Sequence, residues 1–214
     1  MDIMPIISYL LLSLGLLSAA VLFFWKVIFL RNPARNTPLG DDIIVSPADG
    51  KVIEVLEFDG KEVQLYKGDK RFLGLINTLT SDVSQSGYIV SIFMSPLDVH
   101  HNRAPISGKI RSVKHSDGKF LAVNTLEAGL VNEKSEIIIE GAGVTIKMIQ
   151  IAGFLARRVI THVSANDQVN TGQVIGLINL GSQVTLVLPE SVDIKITKGD
   201  RVIAGETILA KINS

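Results

Sequence analysis

The sequence predicts a mainly β domain behind a single membrane-spanning helix. Three features carry this: one long uncharged apolar run near the start, a series of short Val- and Ile-rich runs after it, and an internal repeat towards the end.

The apolar run covers residues 6–25. At about 1.5 Å per residue, a helix of that length spans roughly 30 Å, the thickness of bilayer hydrocarbon. A cleaved signal peptide fits poorly, because Asp2 stands where a basic n-region belongs and Ala19-Ala20 lead straight into Val21 and Trp25. A core helix apolar on every face would need protein on all sides. Residues 1–30 are therefore expected to form a single-pass anchor with Trp25 in the interfacial belt. Lys26, Arg31 and Arg35 follow the helix and no basic side chain precedes it, so the positive-inside rule places the soluble domain in the cytoplasm, at the cell membrane. Residues 31–40, with Pro33 and Pro38, discourage continuation of the helix and are expected to form a linker.

From residue 41 to 214 a β domain is expected. Strand-length runs occupy residues 51–57, 62–66, 88–94, 109–115, 136–139, 144–151, 158–163, 183–188 and 192–196, bounded by Gly, Asp, Asn or Pro. Short helices fit only at 71–84 and 125–132. The repeat pairs Asp167-x-Val169-x-x-Gly172-x-x-Ile175 with Asp200-x-Val202-x-x-Gly205-x-x-Ile208, each copy a turn leading into a strand. Such units build compact sandwiches of two similar halves, of the lipoyl-like or hybrid-motif type.

Composition narrows the chemistry. Lys plus Arg is 21 and Asp plus Glu is 21, so nothing marks a nucleic-acid partner. There is no cysteine, which removes disulfides, thiolate metal sites and cysteine nucleophiles. Adjacent His100 and His101 suggest a metal, but strand-like neighbours point apart, and His115 and His162 add no ligand spacing; no metal is expected.

Three segments can carry chemistry. Gly181-Ser182 separates two apolar runs; taken alone it is an ordinary turn. Residues 93–105 gather Asp98, His100, His101, Asn102 and Arg103 between Pro96 and Pro105, and read as a loop between two strands. Ser46-Pro47-Ala48-Asp49-Gly50 reads as a β-turn with Asp-Gly at its tip.

In this order, behind Arg31-Asn32-Pro33-Ala34-Arg35 and together with Gly153-Phe154-Leu155-Ala156-Arg157-Arg158, these segments resemble the short form of the phosphatidylserine decarboxylase proenzyme family. The resemblance covers almost the whole chain. It implies that the Ser182 hydroxyl attacks the Gly181 carbonyl, where glycine obstructs least, and that the resulting ester eliminates to leave a pyruvoyl group derived from Ser182. The products would be a chain ending at Gly181 and a small chain beginning at position 182, held as a heterodimer, with any further oligomerisation open. The pyruvoyl ketone would form a Schiff base with a serine phospholipid and accept electrons as carbon dioxide leaves. By the same resemblance His100 is the acid-base residue, Asp49 orients or charge-stabilises the base acting on Ser182, and Arg103, Arg157 or Arg158 binds the lipid phosphate.

Two departures stand out. Longer members carry a second loop histidine where this chain has Arg103, and Gln183 replaces the usual threonine after the reactive serine. Self-cleavage then rests on His100 alone, on His101 assisting, or on strain and backbone donors around Gly181; His100 ranks first. Conversion of phosphatidylserine to phosphatidylethanolamine is the leading expectation. The alternatives are the same reaction on an ether-linked archaetidylserine, a family member that has lost processing, and a tethered lipoyl-like domain without activity, although no lysine-bearing carrier turn is evident.

Overall fold

The computed structural model describes residues 4–59, 80, 82–118, 132–141, 143–153, 158–179 and 181–213. The expected strand at 62–66 lies outside these residues, as do nearly all of the expected helices at 71–84 and 125–132.

The first element, α1 (Met4–Phe23), continues into a π-helical turn, Phe24–Phe29. The combined helix is long and apolar enough to cross a membrane, and its most apolar stretch buries nothing against the protein. Among the described residues fourteen strands follow, so the domain is mainly β as expected. They are β1 (Ile43–Val45), β2 (Gly50–Asp59), β3 (Ser86–Met94), β4 (His101–Arg103), β5 (Gly108–Ser116), β6 (Lys134–Gly141), β7 (Val144–Ile151), β8 (Val159–Thr161), β9 (Gln168–Val169), β10 (Val174–Ile178), β11 (Ser182–Pro189), β12 (Val192–Ile194), β13 (Arg201–Val202) and β14 (Ile208–Ile212).

An eight-stranded antiparallel sheet, in the order β13-β2-β3-β11-β7-β6-β5-β9, packs with two three-stranded sheets, β1-β14-β12 and β4-β10-β8. Exchanging β13 with β9, β2 with β5, β3 with β6 and β11 with β7 leaves the large sheet unchanged, and β1-β14-β12 then maps onto β4-β10-β8. The match extends to hydrogen bonds. Val52 N donates to Asp200 O as Ile110 N does to Asp167 O, each at 2.8 Å, and Gly205 N to Ser46 O (2.7 Å) mirrors Gly172 N to Ala104 O (2.8 Å). The sequence repeat marks this symmetry, since each copy forms one outer strand of the large sheet and the central strand of a small one.

The halves differ in continuity. One runs unbroken from β4 to β10; the other is β1–β3 plus β11–β14, with the first half inserted between β3 and β11. The chain crosses between halves through residues 95–100, after β3, and returns between β10 and β11. In the unbroken half, the counterpart of β11 is β7, entered from Gly143 at φ +76°; Gly181 enters β11 at φ +70°. A Cβ on either glycine would meet no atom within 4 Å, so both are needed for the left-handed backbone rather than for space.

The inner face is one apolar core shared by both halves: Val90, Ile92 and Met94 from β3, Ile146 and Met148 from β7, and Val184, Leu186 and Leu188 from β11. Residues two apart share a sheet face, so Ser182 points to the same side as Val184, at the end of this core.

Candidate active site

The antiparallel order brings four of the sequence segments to one end of the large sheet. Strands β3 and β7 end there and β2 and β11 begin there, with Ser182 opposite Met94, Gln183 opposite Ile151, and Lys51 opposite Phe93. Gly50, at φ +154°, is required at that crowded corner, because a Cβ would sit 2.2 Å from the Phe93 carbonyl oxygen.

Ser182 is fully buried. Its Oγ donates to the Met94 sulfur at 3.5 Å, and Asn102 Nδ2 donates to the same sulfur at 3.7 Å. Asn102 Oδ1 accepts from Gln150 Nε2 at 2.8 Å, and Gln150 Oε1 accepts from Thr161 at 3.0 Å. A thioether is a weak acceptor and no base, so Met94 holds the hydroxyl without activating it.

The residue 95–100 crossover is shaped by Asp98. Its backbone N–H donates to Ser95 O (2.9 Å), and its carboxylate accepts from Ser95 N (2.8 Å) and Arg201 (2.9 Å). Burial alone would raise the Asp98 pKa; the Ser95 and Arg201 contacts outweigh it and hold the carboxyl below its usual value. This turn fixes His100, which is completely buried, with Nδ1 2.8 Å from Asp98 O. A carbonyl only accepts, so Nδ1 carries the proton and Nε2 the lone pair. Nε2 is buried and, among the described residues, has no hydrogen-bond partner. Burial pushes the imidazole pKa down to about 4, against the pull of Asp98 and Asp49, with Arg31 adding to the fall. At neutral pH His100 is thus an uncharged base with a free lone pair. Its own carbonyl accepts from Ile178 N at 3.2 Å, which ties it to the strand that leads into Gly181.

The residues expected from the sequence occupy varied positions. Asp49 makes no hydrogen bond to either loop histidine. Both its oxygens bind Arg35 (3.0 and 2.9 Å), Oδ1 accepts from Ala204 N at 2.7 Å, and it reaches His100 only through its charge. Arg103 donates to Gly172 O (2.8 Å), Asn32 Oδ1 (2.6 Å) and Pro33 O (3.2 Å), so its terminal nitrogens hold protein rather than facing an open site. Arg158 is exposed just before β8, and Arg157 lies outside the described residues. Segment 93–105 is not loop throughout: His101–Arg103 pairs with β10 as β4. His101 is half-buried with its pKa lowered by burial, against the pull of the Leu30 backbone. Among the described residues, no three His, Asp or Glu side chains gather to hold a metal.

Sequence reasoning missed four participants. Arg35 and Asn102 stood inside motifs that had suggested the resemblance, but without a role. Gln150 and Phe29 gave no signal, since a polar residue in an apolar run and one aromatic in an apolar helix are both commonplace.

A sequence model described as phosphatidylserine decarboxylase matches residues 22–210. The chain is 38% identical over 189 residues to a protein of Methanocaldococcus jannaschii provisionally named archaetidylserine decarboxylase proenzyme, covering 88% of this chain and 90% of that one. It is also 38% identical over 201 residues to a Methanothermobacter thermautotrophicus protein with the same provisional name, covering 94% of this chain and 86% of the relative. A phosphatidylserine decarboxylase proenzyme of Ehrlichia chaffeensis is 37% identical over 200 residues, covering 92% of this chain and 80% of the relative. This chain belongs to the phosphatidylserine decarboxylase family.

Proposed function

We propose that this family member cuts its own backbone between Gly181 and Ser182, and then removes the carboxyl group of a membrane lipid bearing a serine head group, converting phosphatidylserine to phosphatidylethanolamine and carbon dioxide. The observation that carries the reading is the pairing of a buried Ser182 hydroxyl, behind a left-handed glycine, with a neutral His100 whose Nε2 is free, on the two crossovers between the halves.

In the self-cleavage, Ser182 Oγ attacks the Gly181 carbonyl carbon and its proton passes to His100 Nε2. The C–N bond breaks, the nitrogen takes a proton, and an ester replaces the amide. Loss of the position-182 Cα proton with cleavage of the ester Cβ–O bond leaves a carboxylate on Gly181 and dehydroalanine at 182; water then enters and ammonia leaves. The residues fit this outcome, because no described atom crowds the Cβ side of Gly181 and the Ser182 hydroxyl is buried. The ketone so formed supplies an electron sink for decarboxylation. His100, able to lend and recover a proton at Nε2, serves the protonation that follows. Asp49 contributes by anchoring Arg35 and by its charge near His100. For the head-group phosphate, Arg158 is better disposed than Arg103, and Arg157 stays a candidate.

The small product would supply β11–β14. Because β11 lies between β3 and β7, and β14 between β1 and β12, the products would stay interlocked as a heterodimer. The helix would anchor the enzyme in the membrane, with the domain on the cytoplasmic side. The two archaeal relatives favour a second reading, in which the same head-group chemistry acts on archaetidylserine.

Intact-mass analysis tests the reading: the purified protein yields a fragment 182–214 that begins with pyruvoyl, whereas Ser182→Ala stays one chain of 23.2 kDa and leaves lipid unchanged. Vesicles of phosphatidylserine or archaetidylserine separate the two substrates. Consumption of serine lipid by an undivided chain would overturn the mechanism.

A further inference from the structure

The end of the membrane helix and the first linker residues, 29–35, contact the His100 crossover and its immediate neighbours. The Phe29 side chain is fully buried and its ring centroid lies 4.3 Å from that of His100, with the planes at 40°. Trp25 stacks on Phe29, with centroids 4.8 Å apart and planes at 20°. The π-helical turn, closed by Leu30 N to Trp25 O at 3.1 Å, brings these rings into line, and such turns recur at functional sites. Beyond it, Arg31 donates to Leu97 O, Asn32 and Pro33 accept from Arg103, and Arg35 clasps Asp49. Each of these contacts ends on residues 97–103 or on Asp49, the surroundings of His100.

We propose that Phe29, the last residue of the membrane helix, is a positioning residue for His100: its ring covers the imidazole, excludes water from it and fixes its plane, so that the reactive histidine is complete only when the helix end is seated. This rests on reading His100 as the base for Ser182. The charged groups facing the imidazole are Asp98 on its own crossover, Asp49 ahead of β2 and Arg31 after the helix. None is removed by altering Phe29, so a change in His100 titration would report lost cover rather than lost charge. Phe29 covers the imidazole with an apolar ring, and opening that side to water favours the protonated form.

The test uses the full chain in detergent micelles, in the Ser182→Ala background so that cleavage plays no part. The His100 ring signal, assigned by its loss in His100→Gln, is followed by NMR as pH is lowered. In the parent it is expected to titrate near pH 4. Phe29→Ala is expected to raise the midpoint by about 1 pH unit or more, towards the value of a solvated histidine. In the Ser182 chain, the same change is expected to move the acid limb of the self-cleavage rate upward in pH. An unchanged His100 midpoint in a Phe29→Ala protein with native circular dichroism overturns the proposal. If that variant does not fold, ring-to-ring nuclear Overhauser contacts between Phe29 and His100 in the parent decide: their presence supports the proposal and their absence overturns it. Failure of the underlying reading would look different, as self-cleavage that persists in His100→Gln.

Discussion

Acidification should unfold this domain through His100, and the size of the effect follows from burial. The folded imidazole binds its proton only near pH 4, whereas an unfolded histidine binds near 6.5. Between these values the unfolded chain holds one more proton than the folded one, so stability is complete above about 6.5 and falls as pH drops towards 4, below which this group costs nothing further. At about 1.36 kcal/mol per pH unit the total is roughly 3 kcal/mol, a large share of a typical domain's stability. The Asp98 carboxyl, held below its usual value by Ser95 and Arg201, loses its contribution only below about pH 3.8 and so leaves this window clear. The assay is urea unfolding of the Ser182→Ala chain in micelles at pH 7 and pH 4, followed by far-ultraviolet circular dichroism; the single tryptophan, Trp25, reports the helix rather than the sheets. The parent should lose about 3 kcal/mol more than His100→Gln does, with His101 and the carboxylates common to both proteins. Equal losses would show that His100 is not held neutral by its surroundings, and the account of its basicity would fall with it.

Arg35→Ala leaves the largely buried Asp49 carboxylate with Ala204 N as its remaining partner, and should cost about 3 kcal/mol in thermal or urea unfolding. Gly50→Ala drives a Cβ into the Phe93 carbonyl and should prevent a soluble fold, by more than about 3 kcal/mol. Gly181→Ala meets no neighbouring atom and should fold with a loss of about 1 kcal/mol from its left-handed backbone, which a melting curve would show. Val144→Ser places a hydroxyl after the left-handed Gly143, at the symmetry-related turn but away from the His100 crossover. Mass analysis should find that bond intact and Gly181-Ser182 still cut.

The long strands and the helix were legible because burial imposes a pattern: Val and Ile runs bounded by turn residues, and an apolar run too long for a small core. The expected strand at 183–188 differs from β11 only at its ends. The short strands were not legible. His101–Arg103 is polar and three residues long, and it is a strand only because β10 lies beside it. At the candidate site, Ser182, Gly181 and His100 are proposals that local segments suggest, and the fold brings those segments to one end of the large sheet. Arg35 and Asp49 could not be paired from sequence, since their contact is made by the fold across fourteen residues of linker and strand. Phe29 on His100 is less legible still, because nothing in an apolar helix marks which ring turns inward.

The symmetry explains why the reactive bond lies where it does. In the unbroken half, Gly143 leads the chain into β7, the sheet neighbour of β6, and no described atom lies within 4 Å of where its Cβ would stand. In the other half the matching glycine receives a chain that has just traversed the whole inserted half, and β10 delivers it beside His100, on the outgoing crossover. On the proposed reading the insertion supplies this glycine turn with a buried base, because it brings the His100 crossover and Gly181 to one end of the sheet. The same insertion would let the backbone be cut at Gly181-Ser182 without loss of pairing: β11 has β3 on one side and β7 on the other, so the pairing that holds the sheet does not depend on that bond.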